Sequence, residues 1–101
     1  MKLKNLVTVV TGASQGLGKA IAREFVSEGA HVALCARDEK MINAVVDDLK
    51  RLAHADQIIF GATCDVSVEE EVERFFDKIR SRLGPANVLV NNAGVRPGCG
   101  L

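Results

Sequence analysis

Three glycines in the stretch Thr11-Gly12-Ala13-Ser14-Gln15-Gly16-Leu17-Gly18 have the types and spacing that point most directly at chemistry. They follow the apolar run Leu6-Val7-Thr8-Val9-Val10, so the order is strand, glycine-rich turn, helix start. Glycine lets the backbone turn tightly and approach a ligand closely. The free N–H groups and dipole of the following helix then favour an anionic phosphate. Gly12 is expected to make the turn, Gly16 the close approach to a pyrophosphate, and Gly18 the packing of helix on strand. The Ser14 hydroxyl and the Leu17 amide are placed to donate to phosphate, with Gln15 in the same loop. The spacing T-G-x-x-x-G-x-G departs from the commoner G-x-G-x-x-G fingerprint. It is also no P-loop, because Ala13 stands where that motif has Gly, and Lys19 is followed by Ala20. An ordinary turn before a helix is the structural alternative.

A second cluster, Asn91-Asn92-Ala93-Gly94, follows the apolar run Val88-Leu89-Val90. The two motifs and their separation resemble the short-chain dehydrogenase/reductase family over essentially the whole chain, matching the N-terminal part of that family's domain. The resemblance implies an α/β, Rossmann-like, doubly wound parallel sheet, here its N-terminal half with strand order 3-2-1-4. It implies hydride transfer between a nicotinamide and a carbonyl or secondary alcohol. It also implies a Ser and a Tyr-x-x-x-Lys unit that do the chemistry, and this chain contains no Tyr. Residues 1–101 are therefore expected to be an NAD(P)-binding half-domain without its catalytic part, with no catalytic residue to assign. The resemblance also gives Asp65 and Val66 an adenine contact. Asn91 would tie neighbouring strands together while its backbone lines the adenosine-ribose side, and Asn92, Ala93 and Gly94 would continue that wall. Two plainer readings stay open: Asp65 only shaping the loop before Ser67, and Asn and Gly serving a turn. Two other functions also stay open, a non-catalytic dinucleotide-binding module and the remnant of a truncated reading frame. Sensor-type relatives more often show T-G-x-x-G-x-x-G, which weighs against the module.

Cofactor preference follows from counting. In NAD users of the family an acidic residue ends the second strand and holds the ribose 2′-hydroxyl. Counted from Gly18, that position is Ala36. Asp38 falls where a helix should begin and reads as a cap. Arg37 offers a planar fork of donors to a 2′-phosphate. The expected cofactor is NADP(H), with NAD(H) as the alternative, since Gln15 stands where many NADP users carry a second basic residue.

The elements that must position these residues alternate strand and helix, the pattern of βαβ units. Strands are expected near residues 6–10, His31–Ala36, 58–60 and from Val88. The first helix should start near Leu17, present Leu17, Ile21 and Phe25 on one face, and stop at Gly29. The second should start from Asp38, with Met41, Ile42, Val45, Val46, Leu49 and Leu52 as its apolar stripe. Ser67-Val68-Glu69-Glu70 reads as a capping box for the third. Its inward face would be Val68, Val72, Phe75, Phe76, Ile79 and Leu83, ended by Gly84-Pro85.

Composition narrows the partners. At 48% hydrophobic and 26% charged residues the chain can bury a core, and its formal net charge of zero offers no pull toward nucleic acid. No apolar stretch approaches the roughly 20 residues that span a bilayer. Lys2-Leu3-Lys4 is followed by too short an apolar run for a signal peptide. Cys35, Cys64 and Cys99 form no C-x-x-C pair, which suggests reduced thiols in a cytoplasmic protein. His31 and His54 read as surface residues. An unpaired fourth strand would be an edge open to self-association.

Overall fold

The computed structural model describes residues 2–13 and 16–92. Four strands, β1 (Val7–Thr11), β2 (His31–Ala36), β3 (Ile59–Thr63) and β4 (Val88–Asn91), form one parallel sheet in the order β3-β2-β1-β4. Three helices, α1 (Gly16–Ser27), α2 (Glu39–Leu52) and α3 (Glu69–Arg82), make the crossovers. This is the expected order, with the first strand one residue later than expected and the third extended to Thr63.

Strand alternation sends neighbouring side chains to opposite faces. Val10, Val32, Leu34, Ala36 and Ile59 pack under α1 and α2 with Ala22, Val26, Ile42, Val45, Val46 and Leu49. Val7, Val9, Ala33, Cys35 and Cys64 pack under α3 with Phe75 and Ile79. Both faces of β1 and β2 are therefore covered, which is why these strands read as continuous apolar runs. Gly61 brings α2 down onto β3, because a Cβ at this position would collide with Val46 Cγ2.

Several expectations about the helices need correction. Leu17 is 67% exposed, and the buried residues of α1 are Gly18, Ala22 and Val26. Ile21 and Phe25 pack at the flank of the core. Leu52, at the end of α2, is 52% exposed. Asp38 is the N-cap of α2, its carboxylate accepting the Met41 N–H at 3.1 Å. The capping box at Ser67 does not form. Asp65 Oδ1 accepts both the N–H and the hydroxyl of Ser67, so Val68 takes the N-cap position with no side-chain hydrogen bond. A local Asx turn has outcompeted the helix for Ser67. Val68 is consequently exposed rather than inward-facing. Gly84, with φ +103°, ends α3 as expected, and its N–H and that of Leu83 both reach the Ile79 carbonyl.

Candidate cofactor site

The parallel register lines up the carboxyl ends of all four strands, pairing Thr11 with Cys35 and Asn91 and Ala36 with Thr63. The glycine loop, Arg37, Asp65 and Asn91–Asn92 all emerge along this edge, where ligands bind in open parallel sheets.

Gly12 turns the chain out of β1 in the left-handed region, at φ +66°. Ala13 N–H then donates to the Cys35 carbonyl at 3.2 Å, pinning the loop over the end of β2. Gly16 opens α1 at φ +52° with nothing within 4 Å of where a Cβ would stand. The space beside it is open, and it is the left-handed backbone rather than crowding that favours glycine here. Gly18 is the opposite case. A Cβ there would lie 2.5 Å from Gly12 O and 2.9 Å from Asn92 Nδ2, so α1 can seat against the loop only without a side chain. Ser14, Gln15, Ala93 and Gly94, expected at this site, lie outside the described residues.

The two motifs are joined by a polar clip. Thr11 Oγ1 donates to Asn91 Oδ1 at 3.0 Å and accepts the Asn92 N–H at 3.0 Å. Asn92 Nδ2 donates to the Gly12 carbonyl at 3.2 Å. Asn91 thus ties β4 to β1, as the sequence suggests. Asn92, expected only as part of the ribose wall, is here a positioning residue, and so is Thr11, for which the sequence suggested no role of its own. The available signal was a hydroxyl at the end of a buried valine-rich strand, since buried polar groups find partners.

Ala36 ends β2 buried, and Arg37 follows it exposed. Asp38 is committed to capping α2. No carboxylate therefore stands at the end of β2 itself. Across the β2–β3 gap, Asp65 makes the Asx turn with Ser67 and donates its own N–H to Glu71 Oε1 at 3.1 Å. This holds the Asp65–Val66 loop beside the sheet edge. Beneath it lie the Cys35 and Cys64 thiols. Burial pushes the Cys35 thiol up to about 12, helped by the neighbouring Cys64 and opposed by a hydrogen bond from the Gly12 backbone. Burial likewise raises Cys64. Both thiols are buried and pack with Phe75 and Ile79 under α3.

Comparison with known proteins agrees with this arrangement. A Streptomyces coelicolor protein provisionally named a ketoacyl reductase is 45% identical over 94 residues, which are 93% of this chain and 34% of that protein. The crystal structure of actinorhodin polyketide ketoreductase with NADPH matches at a TM-score of 0.84 and 39% identity, over 95% of this chain and 36% of that one. L-Sorbose reductase from Gluconobacter frateurii, crystallised with NADPH and L-sorbose, matches at a TM-score of 0.87 and 36% identity, over 96% and 36% respectively. The chain thus spans about a third of the length of these relatives. A family model described as short chain dehydrogenase matches residues 6–100. With the glycine loop and the Asn91–Asn92 clip on a β3-β2-β1-β4 sheet, that match establishes that the chain belongs to the short-chain dehydrogenase family.

Proposed function

We propose that residues 1–101 are the dinucleotide-binding portion of an NADP(H)-dependent oxidoreductase. The reaction class is hydride transfer between the nicotinamide and a carbonyl or secondary alcohol. Gly12, Ser14, Gln15, Gly16, Leu17 and Gly18 would hold the pyrophosphate. Asp65 and Val66 would meet the adenine, and Asn91, Ala93 and Gly94 would line the ribose side. The observation that carries the phosphate preference is the end of β2, where buried Ala36 is followed by exposed Arg37 and the nearest carboxylate, Asp38, caps α2. A 2′-phosphate there meets a guanidinium and no opposing charge at the strand end. The NADPH in two similar solved structures supports the same reading. The chain by itself would be inactive, because the Tyr of the family's catalytic unit is not in it. General acid–base catalysis needs a positioned proton donor.

Titration with both cofactors tests the preference. Arg37→Ala should weaken NADP(H) binding by about 1.5–3 kcal/mol, roughly 10- to 150-fold, and leave NAD(H) almost unchanged. Equal losses for both, or tighter NAD(H) binding by the unsubstituted chain, would refute it. Among the described residues β4 pairs on one side only, and its Leu89 is 55% exposed. This supports self-association through that edge, read by sedimentation as a weight-average mass that rises with concentration.

A further inference from the structure

The opposite edge of the sheet carries a different signal. β3 reads Ile59-Phe60-Gly61-Ala62-Thr63, with no proline and no charge of its own to discourage pairing. The bonds Val32 N–Ile58 O and Cys64 N–Ala36 O turn the even-numbered residues toward β2. Ile59, Gly61 and Thr63 therefore direct their backbone N–H and C=O groups outward. Alongside this edge α3 presents Arg74, Lys78 and Arg82, four residues apart on one stripe, all exposed. Arg74 and Lys78 line a cavity of about 140 Å³ with Ala62 and Thr63. Arg82 lies over the Phe60 ring, 4.8 Å from its centre, and lines a cavity of about 470 Å³ with Lys50 and Asp47 of α2. Glu71 and Asp47 are the carboxylates lining these two cavities, against four cations. Among the described residues no salt bridge engages Arg74, Lys78, Arg82 or Lys50.

We propose that the outer edge of β3 accepts an extended acidic peptide as an added parallel or antiparallel strand. The spacing fits. Helix positions four apart advance about 6 Å, and strand positions two apart advance about 6.6 Å. A peptide with a carboxylate at every second residue therefore meets one α3 cation per carboxylate, while its main chain bonds Ile59, Gly61 and Thr63. This is strand addition, with charge complementarity choosing the partner.

The test uses the full chain and a fluorescein-labelled octapeptide of alternating Glu and Val, read by fluorescence anisotropy. The peptide should bind, a version with Lys for Glu should not, and the Gly61 and Thr63 amides should gain protection from hydrogen exchange. Arg74→Glu with Lys78→Glu should weaken binding at least tenfold at unchanged far-UV circular dichroism, and Arg23→Glu on α1 should not weaken it. Equal binding of the Lys peptide, unchanged affinity in the double variant, or binding that leaves both amides unprotected would overturn the proposal. So would a double variant that instead self-associates, which would make the cations guards of the edge. Displacement by polyuridylate as effective as by unlabelled peptide would also overturn it, leaving a general polyanion surface.

Discussion

Gly16 and Gly18 stand two residues apart in one loop and answer to different forces. Gly16 is required by its left-handed backbone and has open space around it. Alanine there should cost about 1–2 kcal/mol through backbone strain. Gly18 is required by contact, since an added methyl would meet a backbone carbonyl that cannot swing away. Gly18→Ala should destabilise the fold by about 1–3 kcal/mol, as overpacking does. It should also weaken dinucleotide binding more than Gly16→Ala does, because the loop itself must shift. Urea midpoints and cofactor titration on the two variants check both statements. Thr11 belongs to the same scale. Thr11→Val keeps the shape but strands the Asn92 N–H, at about 1–3 kcal/mol in the urea midpoint.

At the scale of elements, the two helix starts on either side of β3 make a matched pair. Asp38 caps α2 through the Met41 N–H, so Asp38→Ala should cost about 0.5–2 kcal/mol. Ser67 caps nothing. Its hydroxyl is exposed and bonded to Asp65, so Ser67→Ala should fall within about 0.5 kcal/mol of the unsubstituted chain. Thermal or urea unfolding distinguishes them, and a Ser67 effect as large as that of Asp38 would restore the capping box. A loss from Asp65→Ala exceeding that from Ser67→Ala would show that the turn is held from its acidic member.

For the whole molecule, the buried thiols link stability to pH. Cys35 ionises near 9.0 in an ordinary setting and near 12 in the fold, because burial disfavours the thiolate. Between those values the folded chain holds a proton that the unfolded chain has released, so raising the pH favours unfolding. The contribution is complete below about pH 9 and lost progressively as the pH rises toward 12. Cys64 shifts in the same direction. Urea midpoints should therefore fall between pH 9 and 11, and Cys35→Ala should fall less steeply over that interval while being less stable at pH 7. An alkaline limb of equal slope in both proteins would place the loss elsewhere.

Much of this was legible in order alone. Apolar runs alternating with helical stripes forced βαβ units, right-handed crossovers restricted their arrangement, and T-G-x-x-x-G-x-G beside Asn91-Asn92 named the family. Asp38 was readable as a cap and Ala36-Arg37 as the end of β2, because both depend on near neighbours. What needed the tertiary structure was every choice between competing partners. Ser67 could bond its helix or Asp65, and the turn geometry chose Asp65. Leu17 fits the stripe of Ile21 and Phe25, yet the row that α1 turns to the sheet is Gly18, Ala22 and Val26, one residue further round, which leaves Leu17 exposed. Thr11 and Asn92 are about eighty residues apart, and only the pairing of β4 with β1 brings a hydroxyl and an amide together to hold the glycine loop. Local pattern records what a residue can do with its neighbours, and long-range pairing decides which of those options survives in the fold.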